Sequence, residues 1–194
     1  MSETSRQSKA FFEKRYRASS DPWQFASSAY ELARYQTTLD SLSRGSYRRG
    51  FEPGCSVGVL TARLASRVEH LIACDVSDTA VAHAKARCRN LRHVEIYRGD
   101  VVAGAPGGDT FDLMVFSELG YYFSVAQLQE LVNRLADRLA PAGEFLAVHW
   151  LGDSPDHLLH GDEVHEVLGQ TLPCDWLAGS RHPGFRVDSW RRAP

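Results

Sequence analysis

A glycine-containing turn between a short strand and a helical segment constrains this chain more than any other feature. The strand is predicted over residues 47–53, the turn contains Gly54 and Gly58, and an apolar helical pattern follows. Asp75 then ends a second apolar strand. Glycines let the backbone approach a ligand closely, and the start of a helix presents free N–H groups. This order of elements is typical of a nucleotide-cofactor site on a parallel α/β sheet.

Strand and helix patterns alternate along the middle of the chain. Ser77 and Ser124 stand where N-caps are expected, and residues 141–143 (Pro-Ala-Gly) end the third helix. Apolar strands separated by helices predict an α/β fold with a doubly wound, mostly parallel seven-stranded sheet. The predicted strands are 47–53, 70–76, 94–98, 111–117 and 144–150, and the predicted helices are 57–68, 78–90 and 125–140.

The two ends of the chain depart from this alternation. Residues 11–42 are rich in aromatic side chains and predict helices that break at Asp21 and Pro22. We expect one domain over residues 1–194, in which residues 1–45 form a helical lid and residues 46–150 bind the cofactor. The remainder, 151–194, is predicted to supply a substrate-side helix (161–172) and a C-terminal antiparallel hairpin with strands at 175–180 and 185–192.

Charge and composition exclude several classes of protein. The chain has 22 Lys and Arg against 24 Asp and Glu, a net charge of −2, whereas a nucleic-acid binder is usually basic. No leader pattern is visible, and no apolar run approaches the ~20 residues that a membrane span needs. The four cysteines show neither metal spacing nor a disulfide framework, which favours a reducing compartment. We therefore expect a cytoplasmic protein with no nucleic-acid or membrane partner.

Short polar motifs follow the other predicted strands as well. Gly99, Asp100 and Val101 follow the third strand, and Ser117 and Glu118 follow the fourth. Over residues 47–150 this ordered series resembles the class I S-adenosylmethionine-dependent methyltransferases, which have a Rossmann-like fold. The glycine turn alone is a weak signal. A dehydrogenase with a dinucleotide cofactor is disfavoured because the middle glycine of its turn is missing, and a domain that binds the cofactor without catalysis is the further alternative.

The resemblance implies S-adenosyl-L-methionine as the cofactor and gives roles to particular residues. Gly54 and Gly58 would face its amino-acid part, Asp75 would bind the ribose hydroxyls, and Asp100 would accept from the adenine amino group. The alternatives are that Asp75 caps the following helix and that Asp100 is only a turn residue. The predicted cofactor-binding residues are Trp23, Tyr30, Arg34, Gly54, Cys55, Ser56, Gly58, Asp75, Val76, Asp100, Val101 and Ser117.

Segments outside these motifs resemble the nodulation protein S (NodS) family of small methyltransferases over nearly the whole chain. The matching segments are 21–23, 30–35, 52–60, 117–122, 149–150 and 160–165. The resemblance implies N-methylation of the amine of an amino sugar or a similar small metabolite, in an oligosaccharide or secondary-metabolite pathway. Small-molecule O-methylation with the same cofactor is the alternative, and the chain is expected to be a monomer or a homodimer.

Methyl transfer to an amine needs an unprotonated lone pair, so a general base is expected near the strand ends. His149 is the first candidate because an imidazole titrates near neutral pH, with Glu118 and His165 as further catalytic candidates. His149 as a satisfied histidine at a strand end and Glu118 as a helix cap are the structural alternatives. The predicted substrate residues are Glu118, Tyr121, Tyr122, His149, Trp150, His160 and Asp162.

Two further expectations concern the lid and metals. Residues 21–35 would cover the cofactor and exclude water, and Arg34 would pair with the cofactor carboxylate, since a guanidinium matches that planar group. The cluster of His160, Asp162 and His165 is an incomplete ligand set, so no metal is expected.

Overall fold

The computed structural model describes residues 9–108 and 110–194, so the first eight residues of the predicted lid lie outside it. Seven strands form one sheet in the order β3-β2-β1-β4-β5-β7-β6. The strands are β1 Tyr47–Pro53, β2 Val68–Asp75, β3 Val94–Arg98, β4 Phe111–Ser117, β5 Leu139–Trp150, β6 Cys174–His182 and β7 Phe185–Arg192. The α-helices are α1 Lys9–Ala18, α2 Ala29–Asp40, α3 Val59–Leu64, α4 Asp78–Arg87, α5 Val125–Ala136 and α6 Gly161–Thr171.

The direction of the strands confirms the predicted doubly wound sheet. The five strands from β3 to β5 are mutually parallel, and β7 runs antiparallel between β5 and β6. From β1 the chain first winds towards β3 and then returns to β4 on the other side of β1. The strand order therefore reverses between β1 and β4, which is where open α/β sheets bind ligands.

Alternate residues of the central strands face two different hydrophobic layers. On β4, Met114 and Phe116 pack with the apolar residues of α5 and α6, whereas Leu113 and Val115 pack with Tyr35 and other residues of α2 and α3. All four of these β4 side chains are fully buried. Helices thus cover both faces of the sheet, and this explains the continuous apolar run from Leu113 to Phe116 in β4.

The helix and strand bounds differ from the predictions where strand pairing competes with helical propensity. The carbonyl of Arg138 accepts a hydrogen bond from the Phe111 N–H, and Leu139 pairs with Phe111. Strand β5 therefore begins before the predicted stop, and α5 ends at Ala136. In the same way the Arg67 carbonyl accepts from the Tyr47 N–H at 2.8 Å, which ends the predicted 57–68 helix early.

The N-terminal segment forms the two predicted helices with a break between them. The Asp21 carboxylate accepts hydrogen bonds from the N–H groups of Phe25 and Ala26, and Ser28 caps α2. Tyr16 of α1 is buried in the same hydrophobic layer as Tyr35 of α2. Both helices therefore pack onto the sheet, which gives the segment fixed contacts with the loops at the strand ends.

Candidate functional site

A cavity of about 690 Å³ lies over the carboxyl ends of β1 to β5, at the reversal of strand order. Its wall also includes residues from α1, from the segment between α1 and α2, and from α5. The predicted site residues in the wall are Trp23, Gly54, Ser56, Asp75, Val76, Asp100, Val101, Glu118, Tyr121, Tyr122 and Trp150. Those outside the wall are Tyr30, Arg34, Cys55, Gly58, Ser117, His149, His160, Asp162 and His165.

The glycine turn after β1 exposes backbone to the cavity. Gly54 has a φ of +72°, a conformation that side chains disfavour, and a Cβ built there would lie 3.2 Å from Leu119. Ser56 follows at φ +50° and accepts a 2.7 Å hydrogen bond from the Tyr16 hydroxyl of α1. Gly58 is left-handed as well, but it packs against Ala84 behind the wall. The turn therefore presents the backbone around Gly54 and Ser56, and Gly58 serves helix packing.

Asp75, at the end of β2, is an acid of the cavity wall whose two carboxylate oxygens both bind backbone N–H groups. Its Oδ2 accepts from the Ser56 N–H at 3.0 Å and its Oδ1 from the Ser77 N–H at 2.9 Å. Burial raises its pKa to about 6. Each carboxylate oxygen can accept a further hydrogen bond. Two hydroxyl donors on one ligand would satisfy both oxygens, so the residue fits the ribose of an adenosyl cofactor.

The loop after β3 forms a neighbouring part of the wall. Asp100 caps the short 3-10 turn Val101–Ala103 by accepting from the Val102 N–H, and the Gly99 N–H donates to the Asp75 carbonyl. Val101 and Leu131 of α5 supply apolar surface. An apolar slot with a carboxylate at its edge suits a flat heterocycle that carries an amino group, as adenine does.

Glu118 lines the part of the cavity beyond the ends of β4 and β5, and its carboxylate has several partners. It follows β4 with a φ of +56°, which is uncommon for a residue with a side chain. The Trp150 N–H donates to its Oε1 at 2.7 Å, and the Tyr121 hydroxyl donates to its Oε2 at 2.8 Å. Arg34 Nη1 lies 2.6 Å from the same Oε1. This carboxylate is therefore fixed in place by three different parts of the chain.

Arg34 is buried behind this part of the cavity rather than in the wall. Its guanidinium is only 1% exposed and forms ion pairs with both Glu31 and Glu118. Glu31 and Glu118 thus share Arg34 as a common partner. The Arg34 side chain is paired within the chain and does not line the cavity. Tyr30 is 39% exposed and packs on Phe185, outside the wall.

The two histidines predicted to be catalytic are buried away from the cavity. His149 Nε2 accepts from the Gly120 N–H, and His149 Nδ1 lies 3.2 Å from His165 Nε2. His165 Nδ1 is in turn 2.7 Å from Asp188 Oδ2. Both ring nitrogens of each histidine are engaged, so this geometry corresponds to the alternative of satisfied histidines and not to a base that touches the substrate.

The predicted substrate residues at the start of α6 serve the helix itself. His160 is the N-cap and directs its Nε2 to the Leu151 carbonyl at 2.7 Å. Asp162 forms ion pairs with Arg181 and Arg186. Both residues lie outside the cavity wall, although they were predicted to contact the acceptor. Helix capping and ion pairing with β6 and β7 account for both residues.

Cys55 and Ser117 are also outside the wall, for reasons of packing. Cys55 is buried in a small cluster with Ala73 and Ala84. Burial raises the pKa of its thiol well above the usual range, which disfavours a nucleophilic thiolate. Ser117 is the last residue of β4, paired with Val148, and it does not line the cavity.

Several residues of the wall were missed by the sequence analysis. His157, which follows β5, stacks on Tyr121 with ring centroids 3.7 Å apart. Burial lowers its pKa, and no described residue hydrogen-bonds its ring nitrogens. Glu31 of α2 and Asp153 line the same part of the cavity. No sequence motif includes these residues. They come from separate segments of the chain, and only the tertiary fold brings them to the same cavity.

The described residues give no sign of a metal centre or a membrane span. Within residues 9–108 and 110–194 no group of three His, Cys, Asp or Glu side chains converges on a possible ion. Over the same part of the chain, no helix combines the length and apolar character that crossing a bilayer requires.

The sheet order and the cavity at its switch point define the Rossmann-like class I methyltransferase fold. The family model for nodulation protein S (NodS) matches residues 4–156. Nodulation protein S of Sinorhizobium fredii (strain NBRC 101917 / NGR234) is 33% identical over 164 residues, which are 80% of this chain and 74% of that protein. The chain therefore belongs to the NodS family of S-adenosylmethionine-dependent methyltransferases.

Two solved structures agree with this assignment. A Pseudomonas syringae protein provisionally described as a methyltransferase is 36% identical, with a TM-score of 0.75 over 84% of this chain and 99% of its own. The N-methyltransferase NodS from Bradyrhizobium japonicum WM9, solved with S-adenosyl-L-homocysteine, is 23% identical. It has a TM-score of 0.83 over 96% of this chain and 99% of its own. Because the sequence identity is low, this similarity is evidence for the fold alone.

Proposed function

We propose that this enzyme N-methylates a small acceptor whose nucleophile is an amine, of the amino-sugar type. Membership of the NodS family supports the reaction class, and a solved relative in that family is named an N-methyltransferase. We call the part of the cavity lined by Glu31, Glu118 and Asp153 the acceptor end. Its negative charge is the observation that favours an amine.

The cofactor would occupy the end formed by the loops after β1, β2 and β3. When bound there, S-adenosylmethionine supplies a methyl group on a positively charged sulfur. The backbone around Gly54 and Ser56 would hold its amino-acid part, Asp75 would accept from the ribose hydroxyls, and Asp100 would accept from the adenine amino group. The constrained carboxylate of Asp75 and the left-handed turn at Gly54 support this placement.

Carboxylates outnumber cations at the acceptor end. Glu31 and Glu118 share the single guanidinium of Arg34, which leaves one negative charge, and Asp153 adds another. The lysine and arginine in the described wall, Lys9 and Arg134, belong to α1 and α5, where they contact Asp78 and Val102. A protonated amine would therefore be attracted to this end, and a phosphate or carboxylate would be repelled.

Aromatic rings complete the acceptor end. Trp23 stacks on Phe25 with centroids 5.8 Å apart, and Trp150 meets His157 edge to face at 6.1 Å. All four residues line the cavity. Large apolar faces with a few fixed polar groups are typical of small-molecule sites. The carbon face of a sugar ring would pack on these rings while its amine points to the carboxylates.

His157 is the candidate general base in place of His149. Burial keeps its pKa below the usual value for histidine, so the ring is neutral at physiological pH. Its stacking on Tyr121 places it beside Glu118, to which the Tyr121 hydroxyl donates. In the proposed step His157 takes the proton that the amine loses, and the lid residues Trp23 and Phe25 exclude water from the reaction.

The proposal is tested by mass spectrometry of products from paired acceptors. The full chain is incubated with S-adenosylmethionine and either a chitooligosaccharide with one free amine or its fully N-acetylated counterpart. We expect one added methyl on the free amine and none on the acetylated compound. Equal methylation of both compounds would place the methyl on a hydroxyl and overturn the assignment in favour of O-methylation.

A matched pair of variants links the result to the site. Glu31→Gln removes a negative charge from the cavity wall and should raise KM for the amine roughly tenfold, on the order of one charge-assisted hydrogen bond. Glu166→Gln makes the same change on an exposed position of α6 and should leave KM unchanged. Equal KM values for the two variants would contradict the role of the wall charge.

A further inference from the structure

A line of buried polar groups runs behind the acceptor end, from the backbone of Gly120 to the side chain of Arg186. The Gly120 N–H donates to His149 Nε2 at 3.1 Å, and His149 Nδ1 lies 3.2 Å from His165 Nε2. His165 Nδ1 lies 2.7 Å from Asp188 Oδ2, which also accepts from Arg186 Nε at 2.7 Å. None of the three side chains between these ends lines the cavity.

The two ends of this line fix the direction of every hydrogen bond in it. A backbone N–H can only donate, so His149 Nε2 must be the unprotonated nitrogen and His149 Nδ1 carries the proton. That proton is donated to His165 Nε2, which leaves the proton of neutral His165 on Nδ1. This second proton is donated to the carboxylate of Asp188. Both histidines are therefore neutral and of the Nδ1–H tautomer.

Burial is consistent with this neutral state. His149 and His165 are 0% and 1% exposed, and burial lowers the pKa of each ring. A proton added to His149 would place an N–H against the N–H of Gly120. The line of donors and acceptors thus has a single arrangement in which every member is satisfied.

We infer that His165 and Asp188 are positioning residues for methyl transfer, acting through His149 on the short turn Gly120–Tyr122. This inference rests on the proposed function. The turn has no room to shift towards the core, because a Cβ at Gly120 would overlap Val164 and would lie 3.0 Å from His149 Nε2. The hydrogen bond to His149 and the contact with Val164 together set where the turn lies.

The turn carries groups that face the acceptor. The Tyr121 hydroxyl donates to Glu118 at 2.8 Å, and the Tyr121 ring stacks on His157 at 3.7 Å. The Tyr121 carbonyl also accepts from the Leu158 N–H, which ties the loop of His157 to the turn. If the turn were displaced, Tyr121 would move with it. The hydrogen bond to Glu118 and the stacking on His157 would then change together. A misplacement of about 1 Å can cost up to about 100-fold in rate.

The first test is the tautomeric state of the native protein. The ¹⁵N chemical shifts of the imidazole rings, measured at neutral pH with ¹⁵N-histidine labelling, report which nitrogen carries the proton. We expect the Nδ1–H form for both His149 and His165, assigned with the single variants His149→Gln and His165→Gln. An Nε2–H form or a cationic ring at His149 would overturn the inference, and this measurement requires no turnover.

The second test compares two replacements of His165. His165→Leu fills a similar volume but neither donates nor accepts, so it should lower kcat/KM for the acceptor by about tenfold to 100-fold. His165→Gln can accept from His149 and donate to Asp188, and it should recover most of that loss. Affinity for S-adenosylhomocysteine should stay within about twofold of wild type in both, because the cofactor end does not contact the turn's histidine partners.

The outcomes separate this inference from the proposed function. Wild-type turnover of amines with an unaffected His165→Leu variant would overturn the positioning role alone. Absence of wild-type turnover with every amine would count against the proposed function, and the tautomers would still decide whether the network exists. Equal loss in the Leu and Gln variants, with weakened cofactor affinity, would indicate general destabilisation and contradict the inference.

Discussion

The two ends of the cavity are built in different ways. At the cofactor end the acids bind backbone groups: Asp75 accepts from the N–H groups of Ser56 and Ser77, and Asp100 accepts from that of Val102. At the acceptor end the contacts join segments far apart in the sequence, as in the pairing of Arg34 with Glu118. The first end therefore depends on backbone turns after strands, and the second depends on side chains that the whole fold must bring together.

This difference has a consequence for substitutions. At the cofactor end backbone hydrogen bonds also hold the turns, such as those from the Cys55 and Gly99 N–H groups to the carbonyls of Cys74 and Asp75. Loss of one side chain there therefore mainly removes a ligand contact. Loss of a side chain at the acceptor end leaves a buried partner without its counterpart. We therefore expect binding defects from the first end and stability or turnover defects from the second.

The largest effect is expected from Arg34→Met, which tests the acceptor end. Removing a buried cation leaves Glu31 and Glu118 without their shared partner. Breaking a buried ion pair in this way costs about 3–5 kcal/mol. Urea unfolding of the protein without cofactor should show a loss of this size, with the affinity for S-adenosylhomocysteine changed by less than about threefold.

Arg48→Met provides the matched control, because Arg48 is an exposed arginine of β1. Its effect on the free energy of unfolding should be within about 0.5 kcal/mol. Unchanged stability of Arg34→Met together with lost cofactor affinity would instead support direct pairing of Arg34 with the cofactor carboxylate.

An intermediate effect is expected from His157→Gln. Removal of the candidate base should lower kcat at saturating amine by about 100-fold, at the low end of what general bases contribute. Calorimetric affinity for S-adenosylhomocysteine should be unaltered. His83→Gln changes an exposed histidine of α4 and should keep full activity. If kcat were retained in His157→Gln, the proton would have to leave by another route.

The smallest effect is expected from pH at the cofactor end. Burial raises the pKa of Asp75 to about 6. The carboxylate is the better acceptor for ribose hydroxyls, so affinity for S-adenosylhomocysteine should fall as the pH drops below about 6. One protonation limits this fall to about tenfold per pH unit. Calorimetry between pH 5 and 8 would measure it, and a constant affinity over this range would argue against contact with Asp75.

Asp75→Asn and Asp78→Asn sharpen the pH experiment. The first variant cannot ionise, so its affinity should be weaker by about tenfold to 100-fold, the cost of one charge-assisted hydrogen bond, and nearly independent of pH. Asp78 is an exposed acid at the start of α4. Its replacement should keep the wild-type affinity and the wild-type pH dependence.

The sequence patterns located strands better than side-chain environments. Strands β1, β3 and β4 have the predicted bounds. In β4 the signal is a buried apolar run, as a parallel strand covered on both faces requires. The sequence placed His149 correctly at the end of β5, but it did not show which groups the imidazole ring contacts. The ring turns towards His165 and Gly120, and the residues that decide this come from α6 and from the loop after β4.

His157 shows the same limit from the opposite direction. It lies in an irregular loop after β5 with no motif around it, and only the folded chain stacks it on Tyr121 at the acceptor end. Similarly, Arg34 matched a family segment, yet its two carboxylate partners could be found only in three dimensions. Spacing along the chain does not encode which side chains meet when their separation exceeds one helix or hairpin.

By itself, the sequence determined the doubly wound sheet, the cofactor turns and the family. These features depend on apolar periodicity, on glycines and on acids directly after strands, which are local properties of the chain. Only the tertiary structure decided which histidine lines the cavity, which histidines are buried behind it, and which acids share Arg34. Burial and hydrogen-bond partners control the charge and direction of such groups, and both arise from contacts between distant segments.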